Sequence, residues 1–244
     1  RIKRRPAFMS LILREVRSMN REPMFFLNGP FIIVLMPIIF GIMIAVQKDA
    51  FLGDPDMAGL LALISGGGGA IVAGLVGAFL GSGTSITCTA LSRDAKALPY
   101  LKSLPISAGR YMLAKLAHGL VFALFGSVVG VGLIAYALDL GPIEALYGFA
   151  AALGISFIIN MGGLWLDTAN PRLSWDNPIA AMKQNPNSVI AIFAAMGIAG
   201  GAGFAAFKFS LGSGRFALLF GALPLALFGV LAALYPRYAE RRLA

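Results

Sequence analysis

Apolar positions along the chain gather into six long runs separated by short polar segments. They span roughly Phe25 to Gln47, Met57 to Thr87, Tyr111 to Leu138, Ile143 to Leu166, Ser188 to Phe207 and Phe216 to Tyr235. A membrane-crossing helix needs about 20 mostly apolar residues, so each run is long enough. Pro30 and Pro37 interrupt the first run, and the second is rich in glycine, from Gly66 to Gly69 and then at Gly74, Gly77, Gly81 and Gly83. No charge falls in the apolar centre of any run. Backbone groups in lipid must be satisfied within the element, which makes these runs helices, and the alternating pattern of an outer-membrane barrel is absent. The expected fold is all-α: a polytopic membrane protein of about six transmembrane helices.

The segment before the first run has a different period. Phe8, Leu11, Ile12, Val16 and Met19 recur on one helical face, with Arg14, Arg17, Ser18 and Arg21 on the other. Such a helix lies in the membrane interface, its arginines at anionic headgroups. A juxtamembrane stretch that merely anchors the topology is the plainer reading and is compatible with it.

Composition narrows the class. Of 244 residues, 58% are hydrophobic and only 13% charged, and mean hydropathy is +0.81. Soluble domains carry about 25% charged residues. An ordinary soluble enzyme is therefore excluded, and so is collagen, since the 30 glycines follow no period of three. The net charge of +9 would suggest nucleic acid in a soluble chain, but here the charges sit in short segments between spans. Counted by side, 17 Lys and Arg fall on one and 3 on the other. The positive-inside rule then puts both termini in the cytoplasm and predicts a multi-pass protein of the cell membrane. The implied organisation is a basic amphipathic segment over 1–24, a six-helix domain over 25–235 and a cytoplasmic tail over 236–244. Cys88 is the single cysteine, which excludes an internal disulfide and a cysteine metal cluster.

Two cytoplasmic loops carry most of the information. In Leu91–Arg110, Ser92 is placed to cap a short helix with Asp94 in its first turn. Pro99 and Pro105 bracket the next turns, and Ser107 is placed to cap the third membrane helix. The result is an elbow with Arg93, Lys96 and Lys102 expected to be exposed, suited to docking a partner, although a solvated positive loop has the same composition. In Asp167–Asn187, Asn170-Pro171, Asn177-Pro178 and Asn185-Pro186 are turn or helix-start signals. Pro178 to Gln184 reads as a short helix with proline at its first position, and Trp175 suits the interface level.

These loop phrases resemble those of permease subunits of type-2 ABC exporters, in particular a bacterial group of ABC permeases. The likeness lies in Ser92-Arg93-Asp94-Ala95-Lys96, Leu101-Lys102-Ser103-Leu104-Pro105-Ile106-Ser107 and Lys115. It continues in Leu166-Asp167, Pro171 through Pro178 and Lys183-Gln184-Asn185. The family pattern has Glu-Gly where this chain has Asp94-Ala95. The resemblance covers nearly the whole chain, including Arg21-Glu22-Pro23. It implies a coupling elbow formed by Arg93, Asp94, Lys96, Leu101 and Lys102, with Trp175, Asp176 and Lys183 contributing from the second loop. It implies two protein partners, an ABC ATPase subunit and a second permease half, alongside membrane lipids. It also suggests that the chain is the C-terminal half of a longer protein.

No phosphate-binding Gly-x-x-x-x-Gly-Lys-Ser/Thr sequence is present. No cofactor is expected in this chain, and ATP and Mg would belong to the partner ATPase. The glycines read as helix-packing positions in preference to a ligand loop. His118, the single histidine, reads as a polar packing residue ahead of a catalytic one. Asn160, in the fourth run, reads as an interhelical hydrogen-bonding residue ahead of a substrate contact. The expectation is a transport subunit with no enzymatic activity of its own and no nucleic-acid partner. A non-transporting membrane scaffold is the alternative. An ion-driven secondary transporter is disfavoured because no Asp or Glu sits mid-helix.

Overall fold

The computed structural model describes residues 6–54 and 67–243. Residues 1–5 and the 57–66 part of the second apolar run, including Gly66, lie outside the described residues. Helix α1 spans Ala7–Arg21, α2 Pro23–Asn28, α3 Phe31–Leu52 and α4 Gly69–Ser82. A 3-10 turn over Ser92–Ala97 leads into α5, Leu98–Lys102. Then follow α6 (Ala108–Ala137), α7 (Pro142–Ala169), α8 (Pro178–Met182), α9 (Pro186–Lys208) and α10 (Ser213–Leu243). No strand occurs among the described residues.

Among the described residues four helices, α6, α7, α9 and α10, are long and apolar enough to cross a membrane. Their outward faces carry large apolar side chains such as Val121, Phe125, Phe193, Phe204, Leu227 and Val230. A soluble protein would bury such surface, whereas lipid solvates it. The helices are thus compatible with a membrane-embedded protein. The two remaining apolar helices, Phe31–Gln47 within α3 and α4 itself, are shorter.

Local signals place three of the helix starts. The Ser107 hydroxyl accepts from Arg110 N, capping α6 as its position predicts. Asn177 accepts from Ala180 N and Asn185 from Asn187 N, and in each case proline follows as the first helical residue. Two expectations need correction. The chain does not run helically from Phe25, because Gly29 and Pro30 break it between α2 and α3. Nor does the second run stay helical to Thr87, since α4 ends at Ser82.

That second stop has a tertiary cause. Helix α4 is the centre of the bundle, packed against α6, α7 and α9. Its freed C-terminal carbonyls need donors. Asn160 Nδ2 on α7 donates to Gly81 O at 3.1 Å, and Gly83 N donates to Phe79 O. Asn160 Oδ1 accepts from the Thr87 hydroxyl at 3.0 Å. The irregular segment that follows keeps Thr84, Thr87, Thr89 and Cys88 buried, so its backbone is enclosed in protein. Asn160 is therefore an interhelical hydrogen-bonding residue.

Glycines allow the close packing around α4. A Cβ on Gly130 would lie 2.7 Å from Gly77 Cα, and one on Gly126 would lie 2.7 Å from the Leu80 carbonyl. At Gly132, two residues along α6, a Cβ meets nothing within 4 Å. Gly130→Leu should therefore lower stability by about 1–3 kcal/mol through overpacking, with Gly132→Leu close to neutral. A thiol-reactive dye reads this directly in detergent, because Cys88 is the single cysteine and is only 2% exposed. Equal melting of the two variants would rule out this packing.

Candidate functional site

The most polar region of the interior lies where α1 and the elbow meet the first turns of α6. Glu15, on α1, occupies the face that also presents the buried Leu11 and Met19. Lys115, two turns into α6, has a side chain with no exposed surface. Its ammonium bridges two carboxylates, Glu15 Oε2 at 2.9 Å and Asp94 Oδ2 at 2.8 Å. Arg14 Nη1 reaches the same two residues, at 3.0 Å from Glu15 and 2.9 Å from Asp94. The Tyr111 hydroxyl donates to Asp94 as well. Burial alone would raise the Asp94 carboxyl, but Lys115 and Arg14 outweigh it and hold it well below the usual range. The stabilisation from Asp94 is therefore fully present above its ordinary value of 3.8 and is lost only as pH falls through the lower folded value.

A second carboxylate holds the elbow from the other side. Asp167, at the end of α7 nearest the elbow, is fully buried and accepts four hydrogen bonds. Leu91 N and Ser92 N donate to Oδ2 at 2.6 and 3.1 Å, and the Ser92 hydroxyl and Asn187 Nδ2 donate to Oδ1. Ser92 thus opens the 3-10 turn as expected, but its hydroxyl is spent on Asp167 and does not cap the turn. Ser92 Oγ also accepts from Arg172 N, and Ser92 O accepts from Trp175 Nε1 at 2.8 Å. Arg172 then donates to the Ala180 and Gln184 carbonyls, tying the second loop to α8.

The predicted site residues divide between these clamps and the surface. Asp94 lies inside the ionic cluster. Arg93, expected to be exposed, is buried at 5%, donates to Ile86 O and stacks on Phe25 with its guanidinium 5.9 Å from the ring centroid. The short 3-10 turn rotates it inward, where a carboxylate and an aromatic ring await it. Lys96 is exposed, with its ammonium 4.4 Å from the Trp175 ring centroid. Leu101 is half-buried against the cluster around Tyr111 and Leu116, whereas Lys102, Asp176 and Lys183 are exposed. Trp175 is half-buried and bound to the elbow. His118 is buried edge-on to Phe122, with ring centroids 5.3 Å apart.

Sequence reasoning did not single out Glu15 and Lys115 as a pair, nor Asp167 as the elbow's anchor. A signal existed for the first two. Glu15 interrupts the apolar face of α1 between Leu11 and Met19, and Lys115 lies two turns inside a long, mostly apolar helix. Nothing local marks Asp167, whose donors come from Leu91, Ser92 and Asn187. No group of three metal-binding side chains occurs among the described residues.

No protein-family model, curated protein or solved structure matches the chain.

Removing one partner of a buried charge cluster leaves the others uncompensated, which costs about 3–5 kcal/mol. Lys115→Met should therefore lose folded protein, read as early dye labelling of Cys88 on heating, whereas Lys102→Met should melt like the unaltered chain. A Lys115→Met protein of unchanged stability would show that the cluster does not hold α1 in place.

Proposed function

We propose that the chain is the membrane-spanning permease subunit of an ATP-binding cassette exporter, driven by a separate ATPase subunit. The observation that carries this reading is the elbow over Ser92–Lys102, whose tip exposes Tyr100 and Lys102 while its root is clamped twice. Lys115 joins the root to α6 and α1, and Asp167 joins it to α7 and the second loop. A push on the tip is delivered to two long apolar helices through short charge-assisted contacts. A loop tethered by solvent alone would dissipate the same push.

The ATPase acts by binding one arrangement of the elbow more tightly in one nucleotide state than in another. That differential affinity biases the membrane helices between access states. Lys96, Leu101 and Lys102, with Asp176 and Lys183 beside them, form the docking surface, and Arg93 and Asp94 transmit load from beneath it. ATP and Mg belong to the partner. A second permease half completes the translocation path, and lipid surrounds it. In this reading α3 and the apolar run that contains α4 are the first two of six spans. Helix α1 lies at the interface, both termini are cytoplasmic and the membrane is the cell membrane.

Two measurements test the reading. A photo-crosslinking residue at Tyr100 should trap an ATPase with a phosphate-binding glycine loop, and Tyr100→Ala with Lys102→Glu should lower stimulation of its hydrolysis about tenfold through lost charge complementarity. Failure to trap an ATPase, or unaltered stimulation, removes the coupling role. Separately, in intact cells Lys208→Cys should react with an impermeant thiol reagent, and Lys102→Cys only after the membrane is opened. The reverse pattern would invert the topology.

A further inference from the structure

A cleft of about 640 Å³ opens between α1, the elbow and the second loop. That volume is ample for a small polar ligand. Arg14, Arg17 and Arg21 line it from one stripe of α1, Arg93 and Lys96 from the 3-10 turn, and Trp175 from the second loop. Glu22 is the one acidic residue among the described residues of its wall. The neighbouring carboxylates Glu15 and Asp94 are already engaged by Lys115 and Arg14. Arg17 and Arg21 have no carboxylate partner among the described residues. Arg93, nine-tenths buried at the cleft's inner wall, keeps its Nε–H without an acceptor among the described residues. The cleft is thus a built recess with five basic side chains and one carboxylate in its described wall.

We infer that this cleft binds the phosphate of an anionic phospholipid. Guanidinium groups suit phosphate because their planar donors engage it in pairs. A membrane source is favoured over a soluble one by what surrounds the recess. Helix α1 exposes Phe8, Met9 and Val16 next to its arginine stripe, an apolar face fitted to the acyl boundary. Trp175 is an aromatic of the kind that sits at headgroup depth. The inference rests on the basic end facing a lipid leaflet, but not on the ATPase. The bound headgroup neutralises charges that α1 and the elbow would otherwise hold in mutual repulsion, and so ties the two together at the membrane surface.

The test uses the purified chain in nanodiscs of phosphatidylcholine with or without phosphatidylglycerol, and native mass spectrometry of lipid retained after detergent extraction. Phosphatidylglycerol should be retained over phosphatidylcholine. Arg17→Gln, Arg21→Gln and Lys96→Gln should each weaken retention about fivefold, the effect of one basic residue near an anionic surface. These three residues lie outside the buried ion cluster, and dye labelling of Cys88 confirms that each variant is folded. Lys208→Gln with Arg215→Gln, exposed at the other end of the molecule, should change nothing. Equal retention of the two lipids, or equal weakening by the Lys208 and Arg215 substitutions, overturns the site. Displacement of the lipid by millimolar inorganic phosphate would assign the recess to a soluble phosphate and overturn the lipid source. Variants that keep the lipid and lose only ATPase association would make it a protein-docking surface, overturning the inference while leaving the transport reading intact.

Discussion

One ammonium group sets the geometry of the basic end. Lys115 has no solvent around it, so its charge must be met by Glu15 and Asp94 together. Those carboxylates come from α1 and from the elbow, and Lys115 comes from a long apolar helix. Three segments that also share the apolar cluster of Leu11, Leu91, Tyr111 and Leu116 are thereby held in one register. A buried ion cluster is weak evidence for net stability, since desolvation offsets much of its Coulomb energy. What it supplies is register: any slip of α1 by a turn would strand a charge in the interior.

The same logic explains the second anchor. Asp167 holds the start of the elbow with four donors drawn from three residues, Leu91, Ser92 and Asn187. Two are backbone N–H groups at the head of the 3-10 turn, where a carboxylate is electrostatically favoured. The two anchors hold the root of the elbow from both sides, and its exposed chemistry lies at Tyr100, Lys102 and Lys96. This is the mechanical basis for reading it as a transmission element, and for reading the recess beside it as a place where a lipid phosphate completes the charge balance.

Further into the bundle the constraint is packing. Helices in lipid gain nothing from hiding apolar surface from water, so close backbone approach and interhelical hydrogen bonds hold them together. Gly77 against Gly130, and Gly126 against the Leu80 carbonyl, provide the first. Asn160, bonded to Gly81 O and Thr87, provides the second and lets α4 stop inside the protein.

Several features were legible in the sequence because local physics determines them. Four helices long and apolar enough to cross a membrane follow from run length and apolarity, and the starts of α6, α8 and α9 follow from Ser107, Asn177-Pro178 and Asn185-Pro186. The small residues of the second run announce close packing. Tertiary structure decided the rest. Glu15 and Lys115 are a hundred residues apart, and nothing in either neighbourhood names the other. Arg93 reads as a surface cation beside Lys96, yet the tight 3-10 turn sends it inward to Phe25 and Ile86. Ser82-Gly83-Thr84-Ser85 marks a weak point in the second run, but the donor that satisfies Gly81 O at the end of α4 sits on another helix. Composition and period determine which solvent each segment requires. Where a buried charge or an unpaired carbonyl finds its partner is decided only when distant segments meet.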